Sequence, residues 1–240
     1  MKDWSTLERD LAEFHIILSD LQKDQLEKYY DILVEWNSFM NLTAITQFEE
    51  VCKKHFLDSI SLIHAVPDLS EKDYSLIDVG TGAGFPGIPL KIFFPNLKVT
   101  LLDSLGKRVK FLNEGISLNG LTDMSAFHLR AEDAGSSAQF REKYDLCVSR
   151  AVANLSTLSE YGLPFVKKNG FFIPYKAELT QEEIDKAQKA IHMLGGKEME
   201  IMRFILPGTD YERSFYKVLK ISSTPKLYPR KAGIPSKTPI

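Results

Sequence analysis

The sequence predicts an α/β fold, a mostly parallel, doubly wound sheet with an N-terminal helical extension and an antiparallel last strand. Three observations lead there. From Tyr74 onward, short apolar runs alternate with stretches of helical periodicity, the pattern of successive βα units. A glycine-rich turn, Gly80 to Gly87, follows the first of these runs directly. The last two apolar runs have no helix between them, so they pair antiparallel.

The elements follow in chain order. Leu7, Leu11, Phe14 and Leu18 fall on one helical face, and Leu26, Tyr29, Leu33 and Trp36 make a second stripe. "NLTAIT" interrupts the pattern and "FEEVCKKHFLDSISLIHAV" resumes it. The polar, proline-containing "PDLSEKD" places a boundary near residues 68–73. Residues 1–70 are therefore read as the helical extension, 71–221 as the sheet domain and 222–240 as a basic, proline-rich arm. Strands are expected at 75–79, 98–103, 124–129, 144–149 and 170–175. "GIPLKIFF" forms the first helix between them. Leu105, Val109, Leu112 and Ile116 form the face of the next, with Ser104 as its cap. "LSTLSEYGLPFVKK" and residues 180–194 supply two more helices, and "EMEIMRFIL" and "SFYKVLKIS" close the sheet.

Composition sets outer bounds. Hydrophobic residues at 44% and charged residues at 26% describe a globular chain. No apolar run reaches the length of a membrane span. The N-terminus carries acids where a signal peptide would be apolar, so a cytoplasmic protein is expected. Cys52 and Cys147 have no metal-ligand spacing, and no metal is expected. The net charge of −2 argues against a general nucleic-acid coat protein, but seven basic residues and no acid lie between Arg213 and Ile240. Charge alone reads as a solvated tail. Lys226, Arg230, Lys231 and Lys237, however, alternate with Pro225, Pro229, Pro235 and Pro239, which predicts a stiffened, extended arm suited to a phosphate backbone. On this reading the arm touches RNA and stays clear of any cofactor.

Gly82, Gly84 and Gly87 spell G-x-G-x-x-G, which suggests a dinucleotide site. Such a site needs open backbone N–H groups at the following helix N-terminus. Pro86 and Pro89 remove two of them. S-adenosylmethionine has no phosphate; it offers an adenosine, an ammonium, a carboxylate and a sulfonium. Gly80, Gly82 and Gly84 allow close backbone approach. Asp103, about twenty residues on at the end of the second strand, suits the ribose hydroxyls, or else caps a helix. Asp78 either orients the loop or faces an ammonium. Ala131 and Glu132 in "HLRAED" suit the adenine edge; spacing alone reads Glu132 as a solvated acid at a helix start. Lys107, Arg108 and Lys110 read as a solvated helix face.

"VGTGAGFPGIPL", "LLDSLGKRVKFL", "RAED", "SRAVANLSTL" and "YPRKAGIPSKTPI" closely resemble the bacterial small-subunit rRNA methyltransferase G family, also called glucose-inhibited division protein B. "NLTAIT" and "KHFLDSI" share the likeness, which spans nearly the whole chain. The resemblance implies a Rossmann-like class I methyltransferase that transfers a methyl group from S-adenosylmethionine to N7 of one guanine in 16S rRNA. It implies Gly80, Phe85, Ala131, Glu132 and Arg150 as cofactor residues; Asp103, Gly82 and Gly84 come from the spacing. Arg150 reads otherwise as an ordinary ion-pair residue, and His55 equally as packing or substrate contact. Catalysis by positioning is expected, since N7 carries no proton. The partner is 16S rRNA or the small ribosomal subunit, with no membrane involved and a monomer expected. A dinucleotide-dependent oxidoreductase and a non-catalytic nucleotide- and RNA-binding protein are the alternatives.

Overall fold

The computed structural model describes residues 2–150 and 153–240. Two helices open the chain, α1 (Ser5–Ala12) and α2 (Asp20–Met40). A reciprocal capping box sets the start of α2: Ser19 accepts from the Gln22 backbone N–H while the Gln22 side chain accepts from the Ser19 N–H. The first stripe is shorter in helix than its periodicity predicts. The chain leaves α1 after Ala12 and passes His15 in the left-handed region, at φ 58°. Phe14 and Leu18 are buried nonetheless.

The third helical stretch is not one regular helix. It runs through α3 (Phe48–Val51), a π-helical turn (Cys52–Leu57), α4 (Asp58–Ile60) and a 3₁₀ turn (Ser61–His64).

A seven-stranded sheet follows in the order β3-β2-β1-β4-β5-β7-β6. Strands β1 (Ser75–Val79), β2 (Lys98–Asp103), β3 (Met124–His128), β4 (Tyr144–Arg150) and β5 (Val166–Lys176) are mutually parallel. β6 (Gly196–Ile205) and β7 (Glu212–Lys220) pair antiparallel, and β7 inserts between β6 and β5. β7 is therefore the one strand running against the other six. The crossovers are α5 (Gly87–Phe93), α6 (Gly106–Leu118), α7 (Ala131–Ser136), α8 (Leu155–Gly162) and α9 (Gln181–Met193), with α10 (Ile234–Lys237) in the tail.

Two expectations change here. Ser104 does not cap α6; the Asp103 carboxylate accepts the Leu105 N–H at 2.9 Å instead. The stretch "LSTLSEYGLPFVKK" is α-helical only to Gly162; it tightens into a 3₁₀ turn (Leu163–Phe165) around Pro164, and Val166 already pairs in β5.

The core lies on both faces of the sheet. On one face, Leu7, Leu11 and Leu33 of the extension belong to the same buried cluster as Leu76, Leu101 and Phe215. On the other, Ile77, Cys147 and Phe172 pack against Leu158, Ala187 and Ile191.

The tail is not a free arm. Arg141 donates to the carbonyl oxygens of Thr224 and Tyr228 at 2.6 and 2.8 Å. Arg230 is held by buried Glu160, with 2.6 Å from Nη2 to Oε2. Arg230 is therefore not a spare cation for phosphate.

Where β1 meets α5, the Gly87 N–H donates to Asp78 Oδ2 at 2.9 Å. A Cβ at Gly87 would collide with Leu101 and sit 3.0 Å from Asp78 Oδ2. Gly87→Ala is expected to destabilise the fold by about 1–3 kcal/mol through overpacking, read by urea unfolding. An unchanged midpoint would show that Leu101 relaxes freely.

Candidate cofactor and substrate site

The glycine turn is held from three sides. From β2, Leu102 O accepts the Gly80 and Thr81 N–H groups at 2.8 and 3.1 Å. From below, the fully buried Tyr29 hydroxyl of α2 donates to Ala83 O. From β1, Asp78 Oδ2 accepts from Thr81 Oγ1 at 2.6 Å as well as from Gly87. Gly80, Gly82 and Gly84 all have positive φ, at 71°, 62° and 87°. Other residues rarely adopt that region. A Cβ at Gly84 would crowd Ile88 and Tyr29, whereas one at Gly82 would meet nothing within 4 Å. The turn is therefore packed beneath Gly84 and open above Gly82.

The donors at the start of α5 are all used or missing. Pro86 and Pro89 have none, Gly87 N–H goes to Asp78, Ile88 N–H to Gly84 O and Leu90 N–H to Pro86 O. No backbone N–H is left there for a pyrophosphate.

Asp78 is the loop's organiser, buried completely, with Oδ1 unpartnered. Burial is the largest influence on it and pushes its pKa from 3.8 up to about 6, against the opposing bonds from Thr81 and Gly87. It does not line the cavity next to the turn. That cavity, about 210 Å³, is bounded by Gly80, Asp103, Ala131, Glu132, Tyr161 and Gly233 among others. The Asp103 carboxylate accepts Gly82 N–H at 3.0 Å and Leu105 N–H at 2.9 Å, with Arg108 at 3.4 Å. It thus holds the residue that starts α6 and also faces the cavity. Arg108 is a partner of Asp103, not only a solvated face. Glu132, 6% exposed, is no solvated helix-start acid; its Oε1 accepts the Gly233 N–H at 2.8 Å. Gly233 and Ser236 place the tail in the wall of this cavity, which corrects the expectation that the tail keeps clear of it.

Phe85 and Arg150 lie elsewhere. Phe85 is buried, stacked on His55 with centroids 4.4 Å apart, and the Arg150 guanidinium stands 5.2 Å from its ring centre. Arg150 donates to Asp58 Oδ2 at 2.6 Å, while Arg213 Nε donates to Asp58 Oδ1 at 2.5 Å. His55, Asp58, Arg150, Lys176, Tyr211 and Arg213 help to line a second cleft of about 520 Å³. Burial first, and then Arg150, lower the His55 pKa to about 4, so the ring is neutral at pH 7. Ala151 and Val152 of the "SRAVANLSTL" motif lie outside the described residues. Sequence reading did not place Asp58, Arg213 or Tyr29 at the site: Tyr29 was read as core and Arg213 as one of the basic residues toward the tail. Asp58 sits inside the quoted "KHFLDSI", but its task depends on β4 and β7 arriving beside it.

A seven-stranded sheet with β7 reversed, a glycine turn after β1 and acids beyond β2 and β3 define the Rossmann-like class I methyltransferase fold. Two solved structures share it. M. jannaschii TYW2 in complex with AdoMet gives a TM-score of 0.54 at 18% identity, covering 68% of this chain and 77% of that one. A 16S rRNA (adenine(1408)-N(1))-methyltransferase with SAM from Catenulisporales acidiphilia gives 0.53 at 12% identity, covering 68% and 92%.

The chain belongs to the GidB family, rRNA small subunit methyltransferase G, whose model matches residues 22–210. It is 52% identical over 240 residues to "Ribosomal RNA small subunit methyltransferase G" of Lachnoclostridium phytofermentans, covering 100% of this chain and 98% of that protein. It is 53% identical over 227 residues to the protein of that name from Acetivibrio thermocellus, covering 95% and 92%.

Asp78 yields a prediction about pH. Its pKa is raised in the fold, so its contribution to stability is complete below the unfolded value of 3.8 and is lost as pH rises through about 6. Asp78→Asn should flatten the corresponding fall in unfolding free energy, roughly 3 kcal/mol for a shift of this size. A parent whose stability is level across that window would refute the assignment.

Proposed function

We propose that this protein transfers the methyl group of S-adenosylmethionine to N7 of a guanine in 16S rRNA, acting on the rRNA or the small subunit, as a cytoplasmic monomer. The observation that carries the cofactor choice is the exhausted donor set at the start of α5 beside an acid-lined cavity. A dinucleotide would lack its pyrophosphate contacts there, whereas a phosphate-free adenosine cofactor needs none. The residues fit that group: Gly82 leaves open space, and the Asp103 and Glu132 carboxylates face one cavity. The family's name and the relatives' names support the rRNA substrate.

Asp103, oriented by the Gly82 and Leu105 N–H groups, would accept the ribose hydroxyls. Glu132 and the Ala131 backbone would take the adenine edge. When bound, S-adenosylmethionine supplies an electrophilic methyl on a sulfonium. Guanine N7 offers a lone pair and no proton, so the protein needs no general base, and neutral His55 suits a packing or stacking role. The Phe85 side of the turn adjoins the Arg150 cleft, where Arg150 and Arg213, both oriented by Asp58, would meet the rRNA backbone. Holding N7 in line with the methyl carbon can supply roughly 7–11 kcal/mol of the barrier.

Incubation with labelled S-adenosylmethionine and 16S rRNA or small subunits lacking the modification, followed by nucleoside analysis, should yield 7-methylguanosine. A different methylated nucleoside would overturn the N7 assignment, and binding of NAD without S-adenosylmethionine would overturn the cofactor. Asp103→Ala should weaken cofactor binding by roughly 1.5–3 kcal/mol, measured by calorimetry, because a charged acceptor is lost. An unaltered dissociation constant would leave Asp103 with its role at the start of α6 only.

A further inference from the structure

The tail segment following β7 is anchored at two points, Arg230 and Pro235, and the turn between them reaches Glu132 at the wall of the cavity. Glu160 on α8 is fully buried. It accepts from the Arg230 backbone N–H at 2.8 Å, from Nε at 2.9 Å and from Nη2 at 2.6 Å. Backbone and side chain of one residue are thus fastened to a single carboxylate. Beyond it, Thr157 Oγ1 donates to Pro235 O at 3.1 Å. Between the two anchors the chain turns through Gly233, at φ 82°, and presents its N–H to Glu132 Oε1 at 2.8 Å. Among the described residues that N–H is the one hydrogen-bond donor found on the Glu132 carboxylate. Tyr161, the neighbour of Glu160, lines the same cavity together with Gly233 and Ser236.

We propose that Arg230 is a positioning residue for the cofactor site: its ion pair with Glu160 holds Gly233 so that Gly233 orients the Glu132 carboxylate toward the adenosine. Oε1 is occupied by the tail, which leaves Oε2 for a ligand. A buried carboxylate with one oxygen pinned loses less freedom on binding than one that rotates freely. The assignment rests on the S-adenosylmethionine reading and adds to it a specific use for a charge that the sequence alone would give to RNA.

The test is a double-mutant cycle read by calorimetric titration with S-adenosylhomocysteine, alongside thermal melts and RNA binding across a salt series. Arg230→Ala should weaken binding about tenfold in the parent and hardly at all in a Glu132→Ala background, because the two residues act in one chain of contacts. Arg230→Lys should recover part of the loss. At saturating S-adenosylmethionine, kcat should stay near the parent value while KM for the cofactor rises. The slope of RNA affinity against salt should not change.

Thr157→Val, nearly isosteric, loosens the other anchor and should give the same pattern to a smaller degree if Arg230→Ala fails to fold. A parent that does not bind the ligand would sink the cofactor reading itself. A parent that binds, with both tail variants binding equally well, would sink the positioning role alone. An equal loss in the Glu132→Ala background, or a reduced salt slope with unchanged cofactor affinity, would also overturn it.

Discussion

The buried carboxylate of Asp78 is the constraint on which the site depends. A carboxylate with no exposure is costly, and one of its oxygens has no partner. What offsets the cost is geometry: the other oxygen takes both the Thr81 hydroxyl and the Gly87 N–H. That arrangement ties the end of β1 to the first residue of α5 and forces the intervening chain into a narrow turn. The positive φ values of Gly80, Gly82 and Gly84 follow from that narrowness, as does the exclusion of side chains at Gly84. The open space above Gly82 follows too. The shape of the turn beside the cavity is thus determined by a carboxylate that does not itself line that cavity.

The second organising carboxylate, Asp58, works across elements instead of along the chain. It comes from the irregular helical stretch of the extension and engages Arg150 at the end of β4 and Arg213 at the start of β7. Two guanidiniums sharing one carboxylate are kept close together in the cleft while retaining other N–H groups for an anion. The extension is therefore part of the site as well as of the core: Tyr29 supports the turn, His55 covers Phe85 and Asp58 sets the arginines.

Much of this was legible in the chain. The β1–glycine turn–α5 unit was, because periodicity, glycine and proline each leave a local mark. The acids at 103 and 132 were, because the ends of successive parallel strands converge at one edge of a sheet. Arg230 was misread for a physical reason. Basic residues alternating with prolines carry the same local signal whether they meet solvent, phosphate or a buried acid, and Glu160 lies seventy residues away in an unremarkable helix. Ser104 was misassigned as a cap because the helix starts one residue later than read, with Leu105 at the N-cap position and its N–H held by Asp103. Pro164 was passed over inside an apolar helical pattern that in fact ends two residues before it. The π-helical turn at 52–57 leaves no periodic trace distinct from an α-helix.

The cluster that joins Trp4 and Leu7 to Leu76, Leu101 and Phe215 has a consequence for how the protein is made. The extension is made before the sheet, and its apolar stripes meet Leu76, Leu101 and Phe215 only when the central strands and then β7 have been synthesised. At about 5–20 residues per second, the stretch from Leu7 to Phe215 keeps those stripes uncovered for tens of seconds at the slower end. Gly233 and Ser236, which follow β7 in the chain, line the cavity as well, so its wall closes only after that last strand has been made.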